Sequence, residues 1–391
     1  MNIKDSLKSL KPYQVEAEFN GIRLDANETR NFLFPEGFVL NTFEFHRYPD
    51  HSAKALREAL SQYVGIDANS ILEGNGSSEL IELMIKTYVE KDELIMSFEP
   101  TFSMYRVYSN IYGAKFLGFP LNNDYTLDVD AFIKAVQVNQ PKLIFLCTPN
   151  NPTGGQLKKE EIIQIIRSTK ALIVIDEAYM EFADATESMT QEVLDYQNVI
   201  VLRTFSKAFG LASIRLGYMI ANETIVSTIN RVKSPYHLNQ VTQTIGIEAL
   251  RNIKIVLNEV KDIIERRETL MKRLSSLPIV VYPSKGNFIF IQSPDKKLYQ
   301  PLLNRGIRIR AYQDPVDSYR ITIGTQEEND TLYQALKEIF RWERKQLTEQ
   351  LKKQVFKRAL ISMVRNKFKS RRVFPFLIIC LHCLPFTETL I

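Results

Sequence analysis

Three apolar runs in the middle of the chain end in side chains suited to chemistry. Leu143-Ile144-Phe145-Leu146-Cys147 runs into Thr148-Pro149-Asn150-Asn151-Pro152. Ala171-Leu172-Ile173-Val174-Ile175 runs into Asp176-Glu177-Ala178-Tyr179. Val199-Ile200-Val201-Leu202 leads to Thr204, Ser206 and Lys207, with Arg215 eight positions after the lysine. A lysine just past an apolar strand, among hydroxyls and near an arginine, sits where positive charge is disfavoured. Its pKa falls and it becomes a nucleophile. Gly76-Ser77-Ser78 opens an apolar-periodic segment, and the backbone N–H groups and dipole of such a helix start favour an anion.

One cofactor fits this set. Pyridoxal phosphate needs a lysine for its imine, an acid for its pyridinium nitrogen, donors for its phenolic oxygen and a phosphate cup. Lys207 and Asp176 supply the first two, and Asn151 and Tyr179 can donate to the phenolate. Gly76, Ser77, Ser78, Thr204, Ser206 and Arg215 form the cup, and Phe102, after Pro100-Thr101, can stack on the ring. Each piece alone has a plainer explanation. Asn-Pro-Thr-Gly is a turn, Asp-Glu-Ala-Tyr a strand exit, Ser-Lys a surface pair and Phe102 a core residue. Gly74-Asn75-Gly76 lacks the third glycine of a dinucleotide fingerprint. Order and placement at strand ends set the combination apart.

Elements with two different periods must position these residues. Residues 52–64, 78–90 and 159–168 carry helical apolar spacing, the second entered through Gly74-Asn75-Gly76. Segments 93–98, 114–121, 143–147, 171–175, 199–202 and 216–221 read as strands. Runs that are apolar at every residue are buried on both faces, and their alternation with helices predicts an α/β layer with a mostly parallel sheet. In such sheets ligands bind beyond the carboxyl ends of the strands. From about residue 255 the character changes. A long charged helix (255–275), strands 286–292, 307–311 and 319–323, and a helix over 330–343 predict a smaller α+β lobe. The expected division is a large cofactor-binding domain over 46–255, a small domain from 1–45 and 256–344, and a tail over 345–391.

Composition narrows the alternatives. Of 391 residues, 45% are hydrophobic and 24% charged, which are globular values and exclude a disordered or fibrous chain. Three cysteines and no paired CxxC give neither a disulfide scaffold nor a zinc site, so a reducing compartment is expected. HExxH and GxSxG are absent from the sequence. No metal is expected. The first residues carry early charges and no apolar stretch of a signal peptide, so the expected location is cytoplasmic. Net charge is +5, but from Glu343 onward eleven basic and three acidic side chains give +8, leaving −3 on residues 1–342. A nucleic-acid partner would rest on that tail alone and is not expected. Basic Lys352–Arg372 followed by the apolar run from Val373 to Leu381 admits membrane contact, a partner helix, or an end without an evolved role, which is the preferred reading. His382 between Cys380 and Cys383 is taken as chance.

At these residues the chain resembles the fold type I, aspartate-aminotransferase-like pyridoxal phosphate enzymes, and within them the histidinol-phosphate aminotransferases. Asn151-Pro152-Thr153-Gly154, Asp176-Glu177-Ala178-Tyr179 and Ser206-Lys207 with Arg215 carry the broader likeness. The narrower one rests on Leu24-Asp25-Ala26-Asn27-Glu28, Arg47-Tyr48-Pro49-Asp50, Arg203–Ala212, Arg215-Leu216-Gly217-Tyr218 and Arg320-Ile321-Thr322-Ile323-Gly324-Thr325. The match spans about residues 20–342. It implies an aminotransferase of histidine biosynthesis, working between histidinol phosphate and 2-oxoglutarate through a Lys207 Schiff base. Lys207 would also shuttle the proton, with Asp176 and Tyr179 as further catalytic groups. Tyr48 would reach the phosphate held by a neighbouring subunit, which requires a homodimer. Arg320 would pair with the carboxylate of glutamate or 2-oxoglutarate. Tyr236 and Asn27 either line the substrate pocket or serve local structure. Ser78 stands where the family often has an acid, Phe102 where it often has tyrosine, and Ser213-Ile214 where Gly-Leu is common. The alternatives are an aromatic amino-acid aminotransferase, a threonine-phosphate-type decarboxylase, and a catalytically silent binding protein.

Overall fold

The computed structural model describes residues 19–30, 33, 43–294, 297–313, 317–341, 358, 359 and 361. Residues up to Ala335 form one unit and Leu336–Ile391 a second. In the second unit, residues 336–341, 358, 359 and 361 are helical. The basic and apolar stretches of the tail, with Cys380, His382 and Cys383, lie outside the described residues.

The first unit holds two sheets. The larger contains β2 (Ile71–Gly74), β3 (Leu94–Glu99), β4 (Lys115–Pro120), β5 (Leu143–Cys147), β6 (Leu172–Asp176), β7 (Val199–Thr204) and β8 (Gly217–Ala221), in the order β2-β8-β7-β6-β5-β3-β4. All its pairings are parallel except those of β8, which runs antiparallel to β7 and β2. Every residue of β5, β6 and β7 is buried, as unbroken apolar runs demand. Burying one such Val, Leu, Ile or Phe side chain stabilises by about 1.5–3 kcal/mol. Around this sheet the chain forms α1 (Lys54–Val64), α2 (Ser77–Tyr88), α3 (Met104–Tyr112), α4 (Val129–Asn139), α5 (Lys159–Arg167), α6 (Glu223–Asn230), α7 (Gln240–Arg251) and α8 (Ile253–Leu274).

The smaller sheet has the order β1-β11-β12-β10-β9, from β1 (Ile22–Leu24), β9 (Val280–Tyr282), β10 (Phe288–Gln292), β11 (Ile307–Tyr312) and β12 (Ser318–Thr322). A short α9 (Tyr299–Leu303) precedes β11, and residues 326–335 are helical. The expected mostly parallel sheet and smaller α+β lobe are both present. Three strands escape the sequence pattern for physical reasons. β1 and β9 are only three residues long. In β2 the apolar run is broken by Glu73, which is fully buried and paired with Lys233. Gly74 is therefore the last residue of a strand as well as the first of the turn into α2.

The sheet register decides where polar side chains gather. Cys147 lies beside Asp176, and Asp176 beside Leu202. Thr204 and Gly74 both pair with Gly217. The small sheet is tied to this rim: Lys285 N donates to Gly154 O at 2.8 Å. Arg267 of α8, 2% exposed, donates to Phe182 O at 3.1 Å and Gly286 O at 2.9 Å.

Candidate active site

Lys207 follows the end of β7, half-buried, with Nζ 5.6 Å from the centre of the Tyr179 ring. Among the described residues its Nζ makes one hydrogen bond, a long one of 3.4 Å to Ala26 O. Burial, and then the nearby Arg320, push its amine down to about 7, so much of it is neutral and nucleophilic near neutral pH. Asp176 ends β6 at 3% exposure. Its Oδ2 accepts from Tyr105 Oη at 2.6 Å and its Oδ1 from Ala178 N at 3.2 Å. Burial pushes this carboxyl up to about 6. Tyr179 packs its ring edge-on to Phe288 and accepts from Asn27 Nδ2 at 3.1 Å.

Asn27 is buried with φ of 52°, left-handed for a residue with a side chain. Its backbone N–H donates to Thr322 Oγ1 at 2.8 Å, Thr322 Oγ1 donates to Asn27 Oδ1 at 3.2 Å, and Asn287 Nδ2 donates to Asn27 O at 3.1 Å. These bonds hold the strained backbone and aim the amide at Tyr179. Arg320 stands on β12 beneath the same rim, 8% exposed. It donates from Nη1 to Asn151 Oδ1 at 2.6 Å and from Nη2 to Asp25 O at 2.7 Å, while its buried Nε has no partner among the described residues. A buried guanidinium with an unused donor suits a carboxylate ligand.

The second cluster is an anion cup. Gly217 lies so close to the start of α2 that a Cβ there would stand 2.4 Å from Ser77 N. Gly76, at φ +80°, would meet Arg215 Nη2 at 2.5 Å. At Gly217 the backbone leaves room only for glycine, and at Gly76 the positive φ requires it. Arg215 donates to Ala212 O at 3.1 Å and Ser206 Oγ at 3.4 Å, and Ser206 N donates to Thr204 Oγ1 at 3.1 Å. Two hydroxyls, a guanidinium and the first-turn N–H groups of a twelve-residue helix thus lie together, with Ser78 in the first turn. The donor set fits pyridoxal phosphate: anion cup, amine, phenolate donors and buried acid follow one another along the strand ends.

Under the site, Arg203 pairs with Glu177 at 2.9 Å and Glu181 at 3.0 Å, and donates to Ser188 and Thr190 at 3.1 Å each. Glu177 is fully buried. The two carboxylates hold Arg203 charged against the pull of burial. Arg203→Met should destabilise the fold by about 3–5 kcal/mol, because it strands buried carboxylates. Chemical denaturation checks this, and a loss below about 1 kcal/mol would contradict it.

Not every expected residue joins these clusters through its contacts. Phe102 packs edge-on against Tyr105, with ring centres 5.5 Å apart. Tyr48, 80% exposed, stacks on Tyr236 at 4.6 Å, and Tyr236 also meets His51. These tyrosines form an exposed aromatic pair. Sequence reading missed Tyr105, Thr322 and Asn287. Tyr105 lies on the buried face of the nine-residue helix α3, where a tyrosine reads as core. The other two hold Asn27 from strands and turns remote in sequence. Among the described residues no group of three His, Cys, Asp or Glu side chains is placed to hold a metal, and no helix is long and apolar enough to cross a membrane.

Residues 22–336 match the family described as aminotransferase class I and II. A histidinol-phosphate aminotransferase of Thermoanaerobacter pseudethanolicus is 42% identical over 348 residues, 86% of this chain and 98% of that protein. One from Clostridium kluyveri is 41% identical over 347 residues, with 86% and 98% covered. The crystal structure of histidinol-phosphate aminotransferase from Sinorhizobium meliloti with pyridoxal-5'-phosphate superposes with a TM-score of 0.80 at 22% identity, covering 87% of this chain and 97% of that one. That likeness speaks for the fold, and the two sequence relatives span nearly their full length. The chain is a member of the class I and II aminotransferases, a pyridoxal phosphate-dependent family.

Proposed function

We propose that this chain is a histidinol-phosphate:2-oxoglutarate aminotransferase, moving an amino group between glutamate and an imidazole-bearing amino alcohol phosphate in histidine biosynthesis. Relatives of that name matching 98% of their length carry the reading, supported by the gathering of Lys207, Asp176, Tyr179, Asn151, Arg215 and Arg320 at one rim. In this reading residues 46–255 hold the cofactor, and 1–45 with 256–344 contribute Asn27 and Arg320. Bound pyridoxal phosphate supplies an electron sink for the substrate carbon that loses its proton. Gly76, Ser77, Ser78, Thr204, Ser206 and Arg215 hold its phosphate. Asp176 keeps a proton on the ring nitrogen, Asn151 and Tyr179 donate to the phenolic oxygen, and Phe102 covers the ring. Lys207 binds the cofactor and then moves a proton at the substrate carbon through Nζ, a contribution of about 10²–10⁴-fold. Arg320 grips the carboxylate of glutamate or 2-oxoglutarate. Tyr236 and Asn27 border the substrate.

We further propose a cytoplasmic homodimer. Tyr48 is too exposed to serve its own protomer's core, and in a dimer it would reach the partner's phosphate cup. The tail adds nothing to catalysis in this reading.

The test is a comparison of kcat/KM for histidinol phosphate, phenylalanine and O-phosphothreonine with 2-oxoglutarate as acceptor, with carbon dioxide release followed in parallel. Histidinol phosphate should lead by at least about tenfold, the yield of a single added polar contact. A lead for phenylalanine would make it an aromatic aminotransferase, and carbon dioxide from O-phosphothreonine a decarboxylase. A pH effect accompanies the reading. Only neutral Lys207 attacks a carbonyl, and its amine titrates at about 7. The rate of pyridoxal phosphate uptake by the cofactor-free chain should therefore rise as pH increases through about 7 and level off above it. A rate that falls over that range would contradict it.

A further inference from the structure

Tyr105 is a buried titratable group that the mechanism above does not use. It is 0% exposed on α3, the helix that follows Phe102. Its ring lies flat on Phe145 of β5, with centres 4.3 Å apart and planes 2° from parallel. The backbone is pinned as well, since Ser109 Oγ donates to Tyr105 O at 2.7 Å. Ring and backbone therefore fix where the hydroxyl points. It points at Asp176 Oδ2, at 2.6 Å, within the range for a hydroxyl donating to a charged oxygen and shorter than the usual neutral pair.

We infer that Tyr105 is a positioning residue for the acid that serves the cofactor: its buried hydroxyl donates to Asp176 and fixes both the aim and the charge of that carboxylate. The inference rests on Asp176 facing the ring nitrogen, as proposed above. A carboxylate can hold a proton on that nitrogen only while it is itself ionised. Burial works against ionisation here, and so does Glu177 beside Asp176 on the chain. Lys207 favours it, and Ala178 N–H and the Tyr105 hydroxyl donate to the charged form. Cys147 on β5 and Tyr179 after β6 also face Asp176, and burial keeps both neutral. Of these neighbours Tyr105 alone adds a short, buried, neutral donor. Tyr105 cannot be the proton source, because burial and Asp176 push its hydroxyl well above its ordinary value. It donates a hydrogen bond and keeps its proton.

Tyr105→Phe removes the oxygen and keeps the ring on Phe145. The full chain, freed of cofactor, is titrated with pyridoxal phosphate from about pH 5.5 to 8.5, a range that brackets Asp176 and Lys207. In wild type the affinity should fall on the acid side as Asp176 takes up its proton. In Tyr105→Phe that fall should begin about one pH unit higher, the expected yield of one hydrogen bond to a charged group. The Lys207 limb is common to both proteins and cancels in the comparison. In an Asp176→Asn background the same substitution should shift nothing, since no carboxyl is left to titrate. Superimposable wild-type and Tyr105→Phe curves would overturn the inference, and so would a shift that survives Asp176→Asn. If Asp176→Asn alone leaves cofactor affinity and spectrum unchanged, the assignment of Asp176 fails, which is a separate result. Should Tyr105→Phe not fold, the wild-type chain decides. The infrared carbonyl band of protonated Asp176, identified by its loss in Asp176→Asn, should vanish by about pH 7. Persistence of that band well above neutrality would overturn the inference.

Discussion

Lys207→Ala should lose transamination by at least about 10⁴-fold, because both the covalent anchor and the proton carrier go together. The fold should survive, since among the described residues the lysine side chain makes a single hydrogen bond, 3.4 Å to Ala26 O. The cup around Arg215 and Ser77 remains, so the variant should still bind pyridoxal phosphate without a covalent link. Lys207→Arg should be equally inactive, because a guanidinium keeps its charge where the amine gives it up. Steady-state rates, with melting temperatures to show folding, check this. More than about 1% residual activity in Lys207→Ala would contradict the role, since a 10⁴-fold loss leaves far less.

Arg320→Leu should lower kcat/KM for 2-oxoglutarate by about 10²–10³-fold, the loss that follows when a buried charged partner of a carboxylate is removed. The loss should fall on KM for the keto acid, with cofactor affinity little changed. Arg320→Lys should recover only part of it, because an ammonium cannot form the two parallel bonds of the guanidinium fork. A second readout separates this from general damage. Arg320 is a positive charge that helps push the Lys207 amine down to about 7. Its removal should move the pH dependence of cofactor uptake upward. An unchanged KM for 2-oxoglutarate would contradict the assignment.

The parts of this molecule that can be read from sequence share one property: their signals are local. β5, β6 and β7 are buried on both faces, so each is an apolar run that announces itself, and the residues that do chemistry end the run or follow it within a few positions. Lys207, Asp176 and Asn151 are legible for that reason. The cup is half legible. Gly76-Ser77-Ser78 shows as a helix start, but that Gly217 crowds Ser77 depends on β8 running antiparallel between β7 and β2. Nothing along the chain states that pairing. β2 is hidden because Glu73 interrupts it, and the charge that allows Glu73 to be buried comes from Lys233, 160 positions away. Asn27 and Arg320 meet the site through bonds that span 152 and 169 positions, to Tyr179 and Asn151. Family likeness suggested them where periodicity could not. Tyr105 was invisible for a further reason. A buried tyrosine on a short helix looks like core, and only its 2.6 Å bond to Asp176 separates it from core.

The measurement that tests the central claim most directly is an absorption spectrum of the cofactor-loaded chain during one half-reaction. Histidinol phosphate is added without acceptor, and 2-oxoglutarate afterwards. Amino transfer at Lys207 predicts that the visible-edge band of the enzyme-bound cofactor disappears with the donor and returns with the keto acid. One equivalent of glutamate should then be released per site. A band that no amino donor alters, in a chain that has taken up its cofactor, would contradict amino transfer at this site.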